Sequence, residues 1–120
     1  MQLIRRLTGS SIKFMRIQIK STGFELTPAL QQLIEEKFRG FEKFLANWDE
    51  NDSVILRIEI SKNTKHHQKG KIFYAEANLD LPKNVLRVEE TNEDMHSAID
   101  RLKDRLKNDL LRLKERAADH

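Results

Sequence analysis

Eight apolar residues, Met95, Ala98, Ile99, Leu102, Leu106, Leu110, Leu113 and Ala117, recur over residues 93–117, mostly three or four positions apart. At about 100° per residue they fall on one stripe, so the segment is an amphipathic helix that must bury that stripe on a broad partner surface. The charges beside the stripe are sorted by type. Arg101, Arg105, Arg112 and Arg116 gather along one flank, and Lys103, Lys107 and Lys114 along the other. The lysines have acids one turn back, in the pairs Asp100/Lys103 and Asp104/Lys107. The arginines include like-charge pairs four apart, Arg101/Arg105 and Arg112/Arg116, each costing about 0.2–0.5 kcal/mol. Asp109 offsets part of that cost for Arg105 and Arg112. A solvated face is the ordinary explanation of such charges. A row of arginines kept at some cost points further, because a planar guanidinium grips phosphate oxygens in pairs. Arg101, Arg105 and Arg112 are therefore candidate RNA contacts. Thr91 or Asn92 is the expected cap, with Glu93 and Asp94 in the first turn, where the helix dipole favours acids.

Four segments alternate as strands do. Residues 15–21, MRIQIKS, put Ile17 and Ile19 on one face. Residues 54–61 turn Val54, Leu56, Ile58 and Ile60 inward. Residues 71–81 do the same with Phe73, Ala75, Ala77, Leu79 and Leu81, and residues 84–90, after a turn at Pro82-Lys83-Asn84, with Leu86 and Val88. Thr27-Pro28 is a helix entry, Thr capping and Pro at the first helical position. The helix is expected to run to about Leu45, with Leu30, Ile34, Phe38, Phe41 and Leu45 on one face. Residues 46–53 read as a polar loop and 62–70 as a basic connection. The order is βαβββα, an α+β fold whose two helices cover one face of a four-stranded sheet. The other face would carry Gln18, Lys20, Arg57, Glu59, Tyr74, Glu76, Asn78, Asp80, Arg87 and Glu89. It holds one aromatic, whereas stacking single-stranded bases takes two or three. Residues 1–14, which lack a sustained apolar period, read as a flexible extension, residues 15–117 as one domain and residues 118–120 as a tail.

Composition limits the chemistry. Net charge is only +3 over 120 residues, so the distribution of charge matters more than its sum. Residues 61–71 hold four lysines, two histidines and no acid. Lys65, His67, Lys69 and Lys71 are therefore added as candidate nucleic-acid contacts from composition. With no cysteine there is neither a disulfide framework nor a thiolate metal site, which fits a reducing compartment. No apolar run approaches the length of a membrane span. An enzyme needs a poised nucleophile, an acid/base pair or a metal. No glycine-rich phosphate loop is present, and His66 and His67, adjacent in extended chain, point opposite ways. His96 reads as a core-edge histidine, Glu89-Glu90 and Glu93-Asp94 as solvated and helix-dipole acids. Phe38, Phe41 and Phe44 read as core, Phe44 at its edge. No cofactor, metal, small-molecule substrate or membrane partner is expected.

TPALQQLIEEKFRGFEKFL at residues 27–45, HHQKGKIFYAEANLDLP at 66–82 and LRVEETNEDMHSAID at 86–100, taken in the βαβββα order, resemble the ribosome hibernation promoting factors. These are also called ribosome-associated translation inhibitors or subunit interface proteins, and in older usage sigma-54 modulation proteins. The resemblance implies a double-stranded-RNA-binding-domain-like fold and a cytoplasmic, non-catalytic protein. It implies binding to the small ribosomal subunit and its rRNA, alone or in whole ribosomes, between head and body. There the protein would compete with mRNA, tRNA and initiation factors, block translation and preserve idle ribosomes under stress or in stationary phase. By position it assigns rRNA contact to Lys37 and Lys43 on the first helix and to Arg105 and Arg112 on the second. Arg101 extends that flank on geometry alone. Gly40 stands where relatives often carry a base, Lys83-Asn84 replaces a common glycine after Pro82, and His96 replaces a common tyrosine. The second domain of long members is expected to be missing. The competing class is a general double-stranded RNA-binding module, in which the start of the last helix carries key basic residues. Here that start is acidic. A protein-interaction module acting on a transcription factor has no support in these residues.

Overall fold

The computed structural model describes residues 15–45, 54–63 and 72–118. Seven elements follow in the order β1 (Met15–Thr22), α1 (Pro28–Arg39), α2 (Glu42–Leu45), β2 (Val54–Asn63), β3 (Ile72–Asp80), β4 (Val85–Asn92) and α3 (Met95–Ala118). Lys65, His67, Lys69 and Lys71, and the expected extension at residues 1–14, lie outside the described residues.

The strands lie side by side in chain order. β1 runs parallel to β2, which requires a crossover, supplied by the α1–α2 segment; β2, β3 and β4 form an antiparallel meander. Register follows from side chains alternating faces along each strand. Ile19, Ile58, Ala77 and Val88 pair across the sheet in one row, and Ile17, Leu56, Leu79 and Leu86 in the next. Both rows face the helices. α3 lies over β3 and β4, and α1 over β1. Ile34 and Phe38 of α1 and Ile99, Leu102, Leu106 and Leu110 of α3 are fully buried against the sheet. This is the expected α+β, double-stranded-RNA-binding-domain-like architecture.

Three local expectations are corrected. The first helix does not run unbroken to Leu45. It stops at Arg39, turns through Gly40 and resumes as α2. The Arg39 guanidinium donates to the Met15 carbonyl (2.7 Å) and to Glu42 Oε2 (3.1 Å), and Glu42 Oε2 also accepts from the Met15 backbone N–H (3.1 Å). The break is thus tied to the start of β1, and it still buries Phe41 and Leu45. α3 is capped by Asp94 in place of Thr91 or Asn92. Asp94 Oδ2 accepts from the Ser97 N–H (2.9 Å) and hydroxyl (2.8 Å), while Asn92 Oδ1 holds the Asp94 N–H (2.8 Å). The Ser97 hydroxyl and backbone N–H hold the Asp94 carboxyl below the usual carboxylate range. Glu93 and Asp94 therefore precede the helix, and His96 is exposed, not at the core edge. Thr27, by contrast, caps α1 as expected, its Oγ1 accepting from the Leu30 N–H at 3.2 Å.

The two described glycines differ in what they do. Gly23 has φ +87°, and a Cβ there would meet the Lys62 carbonyl oxygen at 2.7 Å. Gly40 has φ −63° and open space where a Cβ would sit. Gly40→Ala is expected to stabilise the protein by about 0.4–1 kcal/mol through the unfolded chain's lost freedom, and Gly23→Ala to destabilise it by more than that. Urea midpoints of the two variants check both signs.

Candidate nucleic-acid interface

α3 presents its two charged flanks to different neighbours. The lysine flank faces α1 and α2. Lys37 Nζ of α1 lies 2.8 Å from Asp100 Oδ1, and Lys114 Nζ donates to the Phe44 carbonyl at 2.9 Å. Between these two contacts a cleft of about 190 Å3 is lined by Lys37, Gly40, Lys43, Phe44, Lys103 and Lys107, with Asp104 beside them. The ammonium groups of Lys43 and Lys107 stand 5.5 and 5.7 Å from the centre of the Phe44 ring, within range of cation–π attraction.

The arginine flank faces the β4 edge of the sheet. Arg105 Nη1 contacts Glu90 Oε2 at 3.1 Å, and Arg112 Nη2 contacts Asp109 Oδ1 at 3.4 Å. Arg101 is exposed and enters no ion pair among the described residues. Arg105 and Arg112 keep exposed side chains, and ion pairs of that kind are worth at most about 1 kcal/mol, so phosphate can displace their carboxylates.

The sequence-derived site is therefore divided. Lys37 and Lys43 line the inter-helix cleft, while Arg101, Arg105 and Arg112 lie on the other side of the α3 ridge. The expected pairing is also revised. Asp100 goes to Lys37 across the helices, not to Lys103, and Asp104 forms no ion pair within 4.0 Å among the described residues. Lys103 and Lys107 thus join the basic surface that sequence reasoning had assigned to arginine. Their four-residue spacing was visible. Which flank of α3 would meet α1 was not, because that depends on how the crossover seats the helices.

The open sheet face offers a different chemistry. Glu76 sits at its centre and accepts from the Tyr74 hydroxyl (2.9 Å), the Asn78 amide (2.9 Å) and Arg87 Nε (2.8 Å). Arg87 also reaches Glu89 at 2.9 Å, and Arg57 pairs with Asp80 at 2.6 Å. These pairs surround one half-buried aromatic, so the face offers bases little to stack on. Donation from Arg87 and then Asn78 holds the Glu76 carboxyl down from 4.5 to about 2. Burial, followed by the hydrogen bond to Glu76, pushes the Tyr74 phenol up from 10.0 to about 12. A carboxyl lowered by folding stabilises the fold above its unfolded value and loses that contribution as pH falls. The melting temperature should therefore drop between pH 4.5 and about 2, with a shallower drop in Glu76→Gln. The raised Tyr74 phenol acts oppositely. Its contribution is complete below pH 10 and lost on the way to about 12. Melting curves against pH, with tyrosinate absorbance for Tyr74, read both limbs.

The sequence pattern described as Sigma 54 modulation protein / S30EA ribosomal protein matches residues 17–118. A ribosome hibernation promoting factor from Klebsiella oxytoca is 27% identical over 106 residues, covering 88% of this chain and 100% of its own length. Another from Acinetobacter guillouiae is 31% identical over 100 residues, covering 80% of this chain and 84% of its own. Among solved structures, the N-terminal domain of Thermus thermophilus Protein Y is similar with a TM-score of 0.63 at 28% identity, over 82% of this chain and 99% of that one.

Proposed function

The chain belongs to the Sigma 54 modulation protein / S30EA ribosomal protein family, and from that membership we propose that it is a ribosome hibernation factor acting on the small subunit. Its role is ribosome-associated, in keeping with the names of its relatives. It binds small-subunit rRNA with the helix layer, using Lys37 and Lys43 on one side of the α3 ridge and Arg101, Arg105 and Arg112 on the other. Lys65, His67, Lys69 and Lys71 of the basic connection are further candidate contacts. Seated between head and body, it occupies the channel for mRNA and the ends of tRNA, and it silences the ribosome in the cytoplasm under stress or in stationary phase. Inhibition is by occupancy, without chemical turnover.

The observation that carries this reading is the family match over residues 17–118, joined to a helix layer whose outward ridge has basic residues on both slopes. The open sheet face, with Arg57 and Arg87 already paired to carboxylates and a single half-buried aromatic, is the weaker RNA surface. A general duplex-RNA module is disfavoured by the start of α3, where the Asp94 carboxylate is consumed as a cap and Glu93 stands exposed. An acidic helix entry repels the phosphates that such modules grip there.

Order of addition tests the mechanism. Protein given to ribosomes before mRNA should block synthesis, and preformed initiation complexes should resist it. Equal inhibition in both orders, or inhibition that outlasts removal of the protein, would overturn occupancy.

A further inference from the structure

We propose that the cleft between α1–α2 and α3 is a binding site for a single RNA phosphodiester, held by Lys43, Lys103 and Lys107 over the Phe44 ring. This rests on the reading that the helix layer binds RNA, and it adds Lys103, Lys107 and the Phe44 ring to the Lys43 contact of that reading. Four lysines line the cleft against two nearby carboxylates, and one of those, Asp100, is already engaged by Lys37. Positive charge is therefore in excess along this groove. Lys43, Lys103 and Lys107 form no ion pair among the described residues. Two of them are steadied by the face of Phe44, which restricts where their ammonium groups sit without neutralising them.

Size and shape select the ligand. About 190 Å3 corresponds to roughly six waters at about 30 Å3 each, room for a phosphate group with some hydration. The open space at Gly40 leaves the α1–α2 side of the cleft unobstructed. Ammonium groups on flexible stems approach a phosphate from several directions, whereas a guanidinium fork demands one plane. The cleft thus suits a backbone phosphate presented edge-on by a strand running along the groove between the helices. Its ammonium groups grip phosphate oxygens, so it adds affinity and register.

Lysine acetylation by an N-hydroxysuccinimide ester, read by mass spectrometry on the full chain, tests this with a twelve-residue uridylate oligonucleotide at low salt. Lys43, Lys103 and Lys107 should be acetylated several-fold more slowly with the oligonucleotide, while Lys20 on the open sheet face and Lys83 in the β3–β4 turn, both exposed, keep their rates. Three lysines that stay as reactive as before, or protection spread evenly over all five, would overturn the proposal. Two variants add an affinity readout. Lys43→Gln/Lys103→Gln/Lys107→Gln should reduce the slope of log affinity against log salt by about 0.7, the value for one single-strand phosphate. Asp104→Asn should tighten oligonucleotide binding. An unchanged slope together with unchanged Asp104→Asn affinity would also refute the site. The ribosomal reading fails separately. A protein protected by the oligonucleotide that does not bind small subunits keeps the cleft and loses the ribosome. A protein that binds small subunits with all three lysines fully reactive keeps the ribosome and loses the cleft.

Discussion

Phe38→Ala is expected to remove about 3–5 kcal/mol of stability, a large part of the roughly 5–15 kcal/mol that holds a domain of this kind together. Phe38 is 0% exposed and its ring stands 5.8 Å from that of Phe41, centre to centre. It lies in the last turn of α1, immediately before the chain bends at Gly40, as one of the largest fully buried side chains of the core. The cost is therefore the transfer of a phenyl group to water plus a cavity that the core closes only in part. Phe44→Ala should cost markedly less. That ring is only half-buried and borders the lysine cleft. Urea unfolding of the two variants makes the comparison, with the slope m unchanged if only stability has altered. Equal losses at both positions would mean that Phe44 belongs to the core and is not available as the floor of a binding site.

Arg101→Gln/Arg105→Gln/Arg112→Gln should weaken small-subunit binding on the order of a hundredfold while leaving the fold intact. Each charged hydrogen bond to phosphate is worth about 1.5–3 kcal/mol, of which Arg105 and Arg112 must first give up an exposed carboxylate partner. All three side chains are exposed and lie off the buried stripe of Ile99, Leu102, Leu106 and Leu110. Stability should therefore change little. The matching control removes three positive charges from the open sheet face, at Arg16, Lys20 and Arg57. Long-range attraction alone would fall equally in both triples, whereas local contact weakens only the first. A control triple as damaging as the arginine triple would show that the helix layer is not the RNA-facing surface.

Most of the fold was legible because its periods are clean. Alternation of Val54, Leu56, Ile58 and Ile60 with polar residues marks a half-buried strand, and the stripe from Met95 to Leu113 marks a helix. Thr27-Pro28 announced the α1 cap through chemistry that works within four residues. The misread points depend on groups distant in sequence. Gly40 ends α1 where Arg39 and Glu42 clasp the first residue of β1, more than twenty positions earlier. Asp94 outcompetes Thr91 and Asn92 because Ser97 offers it two donors at once. The site was legible in residue type and less so in arrangement. Periodicity separated arginine from lysine on α3 but could not tell which row would meet Lys37 and Lys43. The supposed neutralisation of Lys103 by Asp100 failed for the same reason, since the carboxylate found a partner on another helix.

The most direct measurement is sedimentation of the protein through sucrose gradients with separated small subunits, separated large subunits and whole ribosomes. The account predicts that it travels with small subunits and whole ribosomes, that free large subunits do not carry it, and that raising salt releases it steeply as counterions return to the RNA. Equal association with both subunits, or none with either, would contradict it.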